Sequence, residues 1–265
     1  MWIKIQQRLN EGLPEWRTRI ENMGQASAVA RRLNGELFDD HEIFKGIVKA
    51  VLSNSTDWSR VERVLPEMNE LFMNFDIQSY SNLTATSIEK CFVPWFIARR
   101  AGSLTLKRDL TNLIIAAKLL CEKIRKFETL ERYITALLRC SNNDPILLAQ
   151  SLGSTNSKNK LPSMGIAIAA EAIKNIGFDV AKPDRHINRA VGSWRICNFR
   201  NFSGNQERNY PSPTNETELT TSMRAVKTIA HQANEKVVVV DNAIWLLCSR
   251  SGMYSTNAEL RAMRL

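Results

Sequence analysis

The chain has 265 residues, 44% of them hydrophobic, and 36 basic side chains against 27 acidic ones give it a net charge of +9. That length supports one large or two modest globular units with substantial cores, and the positive balance favours an anionic partner, either nucleic acid or an acidic membrane surface. Five cysteines, Cys91, Cys121, Cys140, Cys197 and Cys248, are odd in number and far apart, which argues against a disulfide framework and gives no pair metal-ligand spacing.

Residues 1 to 12 carry no long apolar core, so neither a signal peptide nor a membrane span is expected there, and the chain reads as intracellular and cytoplasmic. Residues 2 to 40 predict short helices broken at Gly12-Leu13-Pro14 and near Asn34-Gly35, with Trp2, Ile3, Leu9, Trp16 and Ile20 as core contacts. A stronger helix starts at Asp39-Asp40-His41 and places Ile43, Phe44, Ile47, Val48, Val51 and Leu52 on one face. It ends in Ser53-Asn54-Ser55-Thr56-Asp57-Trp58, where Asp57 is placed to cap a helix whose stripe is Val61, Val64, Leu65, Met68 and Leu71.

Arg99, Arg100 and Lys107 form a basic cluster that either grips an anion or is simply solvated. Leu110, Leu113, Ile114, Ala117, Leu120 and Cys121 then share one helical face. Another helix covers residues 127 to 138, and Asp144-Pro145 starts the next with a cap and a first-turn proline. Residues 153 to 160, GSTNSKNK, read as a polar loop.

The stretch from Lys160 to Val191 carries the most information. Leu161-Pro162-Ser163-Met164-Gly165 is a tight turn opening a helix, in which Ile166, Ala169, Ala170, Ile173 and Ile176 recur at helical spacing before Gly177 stops it. Pro183 restricts the chain, and Asp184 stands as N-cap of a second helix. Amides at a helix N-terminus, with the positive end of the dipole behind them, suit a phosphate. One rigid helix thus separates an anion-binding turn from a carboxylate. Beyond Trp194, residues 195 to 213 predict an extended basic loop, Asn215-Glu216 starts a helix, and residues 237 to 248 suit a buried strand by composition, yet Asp241 before an apolar run predicts a cap followed by a helix.

Leu161, Pro162, Gly165, the Ala169–Ala170 pair, Asp184 and His186 together resemble the helix-hairpin-helix DNA glycosylases, whose members carry Leu-Pro-Gly-x-Gly, a small-residue helix and an Asp often followed by x-His. The resemblance implies an all-α fold of two helical lobes with DNA in the cleft between them. One lobe is a six-helix barrel over residues 40–178 ending in the hairpin; the other joins residues 1–39 to 179–265. It implies double-stranded DNA containing a damaged base as partner, no membrane association and a monomer.

Residue by residue, the resemblance makes Asp184 the catalytic carboxylate, its other reading being a plain N-cap. Ser163, Gly165 and Ala167, with Arg99 and Arg100, become contacts to the DNA backbone. Asn54 and Ser55 occupy the positions of a polar wedge, although neither is the usual Gln, and both also suit a simple turn. Trp245 is a pocket or core aromatic. The main-chain carbonyls of Asn159, Leu161 and Met164 match a monovalent K+ or Na+ site, and no cysteine spacing fits the iron–sulfur cluster of some relatives. Ala167 stands where strand-cleaving relatives carry the Schiff-base lysine, which implies a monofunctional glycosylase and tilts the substrate toward alkylated purines. An 8-oxoguanine or mismatch-specific glycosylase and a non-catalytic hairpin DNA-binding protein are the alternatives.

Overall fold

The computed structural model describes residues 1–264 apart from 55, 57, 200 and 204–209, and only the backbone of 202, 203 and 211. Its helices include α1 (Trp2–Gly12), α2 (Trp16–Asn22), α3 (Gln25–Leu33), α4 (Asp40–Leu52), α5 (Leu106–Phe127) and α6 (Leu130–Cys140). They continue with α7 (Pro145–Gly153), α8 (Ile166–Asn175), α9 (Arg185–Ser193), α10 (Glu216–Gln232), α11 (Val237–Cys248) and α12 (Asn257–Ala262). The all-α expectation holds with one small exception. Within the stretch predicted as loop, β1 (Asn201–Ser203) pairs antiparallel with β2 (Tyr210–Ser212), with Asn201 opposite Ser212.

Two compact units divide the chain, Met1–Asn34 with Gly177–Leu265, and Gly35–Ile176. Residues 35–39 and 177–178 therefore fall on the opposite side of the boundary from where the sequence reading drew it.

In the unit Gly35–Ile176, α4 opens with a capping box in which Asp39 accepts from the Glu42 amide and Glu42 reaches back to Asp39. Its buried face meets α8 at Gly46, where an added Cβ would lie 2.7 Å from Ile176 Cγ2. Asn175 Nδ2 closes that contact by donating to the Gly46 carbonyl at 3.0 Å. The apolar stripe predicted from Val61 to Leu71 is not one helix. Pro66 has no amide to continue the ladder, so Trp58–Val64 and Met68–Leu71 are separate pieces joined by a 3-10 turn. Asp57, the predicted cap, lies outside the described residues.

Met73, Asn74 and Phe75 then all take positive φ (51°, 55° and 58°), which costs an L-residue roughly 1–2 kcal/mol each. That turn stacks Phe75 on Phe72 with ring centroids 5.5 Å apart, and Phe72 in turn meets Tyr80, Phe92 and Phe96. Burial of two phenylalanines, at about 1.5–3 kcal/mol each, offsets the strain.

The path from α7 to α8 positions the hairpin. Leu161 N donates to the Leu152 carbonyl at 3.0 Å, so the chain resumes beside the point where α7 ended. The seven residues 154–160 form an excursion that satisfies itself: Ser157 Oγ donates to the Ser151 carbonyl at 2.5 Å, Asn159 N to Ser157 Oγ at 3.1 Å, and Lys160 N to the Ser157 carbonyl at 3.2 Å. At Gly153 the two helices touch through backbone, since a Cβ there would lie 2.7 Å from the Gly165 carbonyl carbon and from Ile166 N and Cα.

In the other unit, α1 and α2 pack on the apolar α11, with the Trp2 and Trp16 rings edge to face at 6.0 Å. Ile3, expected in the core, is 69% exposed, because α1 turns Trp2, Ile5 and Leu9 inward instead. Asp241 does not cap a helix. It lies buried inside α11, whose first amides are capped by Asp179: Oδ1 and Oδ2 accept from Val238 N at 2.8 Å and Val237 N at 3.1 Å.

Gly153→Ala is expected to destabilise the protein by about 1–3 kcal/mol, because backbone cannot yield to the added methyl as a side chain would. A urea midpoint equal to wild type would show that α7 and α8 have more room than this packing allows.

Candidate functional site

The hairpin turn belongs to the unit Gly35–Ile176. Met164 N donates to the Leu161 carbonyl at 3.1 Å, and Ser163 sits between them at φ 59°. Positive φ at this position is what glycine supplies without strain, and Ser adopts it at a cost of about 1–2 kcal/mol. Asn112 Nδ2 on α5 donates to Ser163 Oγ at 2.8 Å.

Gly165 is the N-cap of α8 at φ −92° and ψ 174°, exposed, with open space where a Cβ would be. Neither backbone strain nor crowding asks for glycine there. α8 has no side-chain cap, and among the described residues the amides of Gly165, Ile166, Ala167 and Ile168 find no acceptor. Such a row of amides accepts an oxyanion. The structure thus brings Ser163, Gly165 and Ala167 together on one turn, with the carbonyl-bearing residues Asn159, Leu161 and Met164 in the same segment.

Arg99 and Arg100 lie at the end of the helix Val93–Ala98. Arg99 is engaged: its Nε meets Glu67 Oε2 at 2.8 Å and its guanidinium lies 4.1 Å over the Trp95 ring. Arg100 is exposed at φ 54° and makes no ion pair among the described residues, so it is the freer cation of the two. Asn54 does not project freely, because its Nδ2 donates to the buried Asp109 carboxylate at 3.0 Å. Ser55 lies outside the described residues.

Asp184 belongs to the other unit. Its Oδ1 accepts both from His186 N at 2.8 Å and from Ile187 N at 3.2 Å, capping α9, while Oδ2 receives no hydrogen bond among the described residues. The segment leading to it is clamped on α11 in two places, by Asp179 at residues 237 and 238 and by Asp241 Oδ1, which accepts from Lys182 N at 3.0 Å. Asn188 Nδ2 adds a bond to the Pro183 carbonyl at 3.0 Å. Trp245 on α11 is half-buried against the core of its unit, and its ring meets His186 edge-on at 6.4 Å. Burial holds His186 below the ordinary histidine range and outweighs the opposing pull of Asp184.

Sequence reasoning missed Asp109, Asn112, Asp179 and Asp241. Asp241 did carry a signal, as a charge in the apolar run VVVVDNAIWLLC, but the cap rule placed it at a helix end. Asp109 and Asn112 stand beside the apolar face of an amphipathic helix and carry no local signal of their partners.

No family model matches the sequence, and no curated protein does. The fold is similar to that in the crystal structure of Methanocaldococcus jannaschii 8-oxoguanine glycosylase/lyase in complex with 15mer DNA containing 8-oxoguanine. The TM-score is 0.59 at 15% identity, over 97% of this chain and all of that one. At that identity the likeness is one of fold. No described helix is long and apolar enough to cross a membrane.

A histidine whose folded pKa is lowered contributes stability that is present above its unfolded value near 6.5 and is lost as pH falls below it, since the unfolded chain then takes up the proton first. Urea midpoints are therefore expected to fall between pH 7.5 and 5, and His186→Gln to flatten part of that fall. An identical pH profile in the variant would show that His186 is not held neutral by the fold.

Proposed function

We propose that the protein is a DNA glycosylase that hydrolyses the N-glycosidic bond of a damaged base turned out of duplex DNA, with no lyase step. The observation that carries this reading is Asp184. One carboxylate oxygen anchors it to the amides of α9 while the other accepts no hydrogen bond among the described residues, so the group is held in place with one oxygen unengaged.

A glycosidic bond is buried in the stack, so the nucleotide must leave the duplex before the bond can be reached. As that bond lengthens, positive charge grows on the sugar. The open oxygen of Asp184 stabilises the charge electrostatically or takes a proton from the attacking water. The uncapped amides at Gly165, Ile166 and Ala167 hold a backbone phosphate, joined by Ser163 and by the cations of Arg99 and Arg100. Main-chain carbonyls of Asn159, Leu161 and Met164 are neutral oxygen donors that suit K+ or Na+; the Leu161 oxygen keeps a lone pair after accepting from Met164 N. An ion held there supplies positive charge toward the same phosphate. Duplex DNA is the partner and a single chain the working unit.

The lysines near the hairpin support hydrolysis over an amine nucleophile. Position 167 is Ala. Lys160 Nζ leans on the Gly153 carbonyl at 3.5 Å, and Lys174 is 3% exposed and paired with Glu171 at 3.0 Å. Alkylated purines are the preferred substrates in this reading. A second reading is 8-oxoguanine, the base in the DNA bound by the Methanocaldococcus jannaschii enzyme of similar fold.

Base release should be scored on duplexes carrying alkylated adenine, hypoxanthine, uracil, 8-oxoguanine or a mismatched thymine. Strand breaks only after alkali are expected from at least one of them; breaks without alkali would overturn the monofunctional assignment. Asp184→Asn keeps a good N-cap, so its melting temperature should stay close to wild type and duplex binding should persist while base release drops at least about 100-fold. Undiminished release by that variant would remove Asp184 from catalysis. Gly165→Ala should unfold within about 0.5 kcal/mol of wild type yet bind duplex several-fold more weakly; unchanged affinity would show that the hairpin amides do not face the phosphate.

A further inference from the structure

Two loops of the unit Gly35–Ile176 are fastened to successive turns of one helix. Asp109, in the first turn of α5, is 3% exposed, and its carboxylate accepts from Thr105 Oγ1 at 2.7 Å, from Asn54 Nδ2 at 3.0 Å and from Arg108 Nε at 3.1 Å. Asn112 lies three residues on, on the same side of the helix, and holds Ser163 Oγ at 2.8 Å. The turn after α4 and the hairpin turn are therefore both tied to α5 through side chains.

The two ties do different work. Asn54 brings a neutral amide to a buried carboxylate that would otherwise lack one of its donors, so it is an anchor for residues 53–54 and not a side chain free to enter DNA. Ser163 occupies the left-handed region at φ 59° without being glycine. A serine there needs an outside hold that glycine does not.

We propose that Asn112 is a positioning residue for the hairpin, holding Ser163 in the conformation glycine adopts unaided, and that Asp109 sets the neighbouring turn through Asn54. This rests on the DNA-binding reading above. Asn112 touches no substrate; it acts on the amides of Gly165, Ile166 and Ala167 by fixing the turn that aims them.

A double-mutant cycle tests it, with the full chain and a fluorescein-labelled duplex containing a tetrahydrofuran abasic-site analogue, read by anisotropy. Asn112→Ala is expected to weaken binding about 5-fold in the wild-type background. In the Ser163→Gly background the same change should cost less than about 2-fold, because glycine keeps the turn without help. A merely structural asparagine would cost the same in both. Should Asn112→Ala fail to fold, Asn112→Leu keeps the volume and removes the donor. Equal losses in the two backgrounds, or no loss in the first, overturn the proposal alone. A wild-type chain with no affinity for the duplex overturns the DNA-binding reading and this proposal together.

Discussion

At Gly153 the backbone of α7 lies against the start of α8 with no room for a side chain, and the geometry of the hairpin follows from that contact. Because the helices meet through main chain, Leu161 can return its amide to Leu152 and close the path as though residues 154–160 were absent. The loop costs little in this arrangement. Its ends are already adjacent, closure entropy grows slowly with length, and Ser157 and Asn159 satisfy its polar backbone locally. A seven-residue excursion thereby lies beside the turn at residues 161–165 without displacing it.

Two left-handed segments of the same unit sit where burial or a side chain offsets the strain. Met73–Phe75 adopt left-handed backbone and bury Phe75 against Phe72, a local exchange of dihedral energy for apolar area. The Asn74 carbonyl also meets His41 Nδ1 at 3.0 Å, which fixes the turn to α4. Ser163 has less apolar burial to draw on, since its side chain is short and polar, and the hydrogen bond from Asn112 takes that part. These two segments accordingly have different neighbours: rings around Met73–Phe75, an amide beside Ser163.

Much of this was legible from local pattern. The α4 face, the α5 face, the Asp144–Pro145 restart, the turn at residues 161–165 and the Asp184 cap each rest on a short window of residues, and all appear in the structure. What failed needed information from distant residues. The helix at Val237 starts without a cap of its own because Asp179, 58 residues earlier, supplies one, so the local aspartate at 241 was mistaken for the signal. Ile3 was placed in the core by hydrophobicity, whereas the three-and-four spacing of Trp2, Ile5 and Leu9 decides which face turns inward. Asn54 was read from its position in a turn. Only the fold shows that a buried carboxylate claims its amide.

In the proposed role, Asp184 combines two demands that usually conflict. A carboxylate that is to face a developing positive charge must be held still, and the surest way to hold one is to satisfy its oxygens, which also spends its charge. Here the division is made within the group, both α9 amides converging on Oδ1 and leaving Oδ2 open. Rigidity comes from further back in the chain, where Asp179 and Asp241 tie residues 179–182 to α11. Those two carboxylates hold the segment through backbone amides, as Oδ1 of Asp184 does at the start of α9. The half-buried His186, edge-on to Trp245, adds no charge of its own near neutral pH, since burial favours its neutral form.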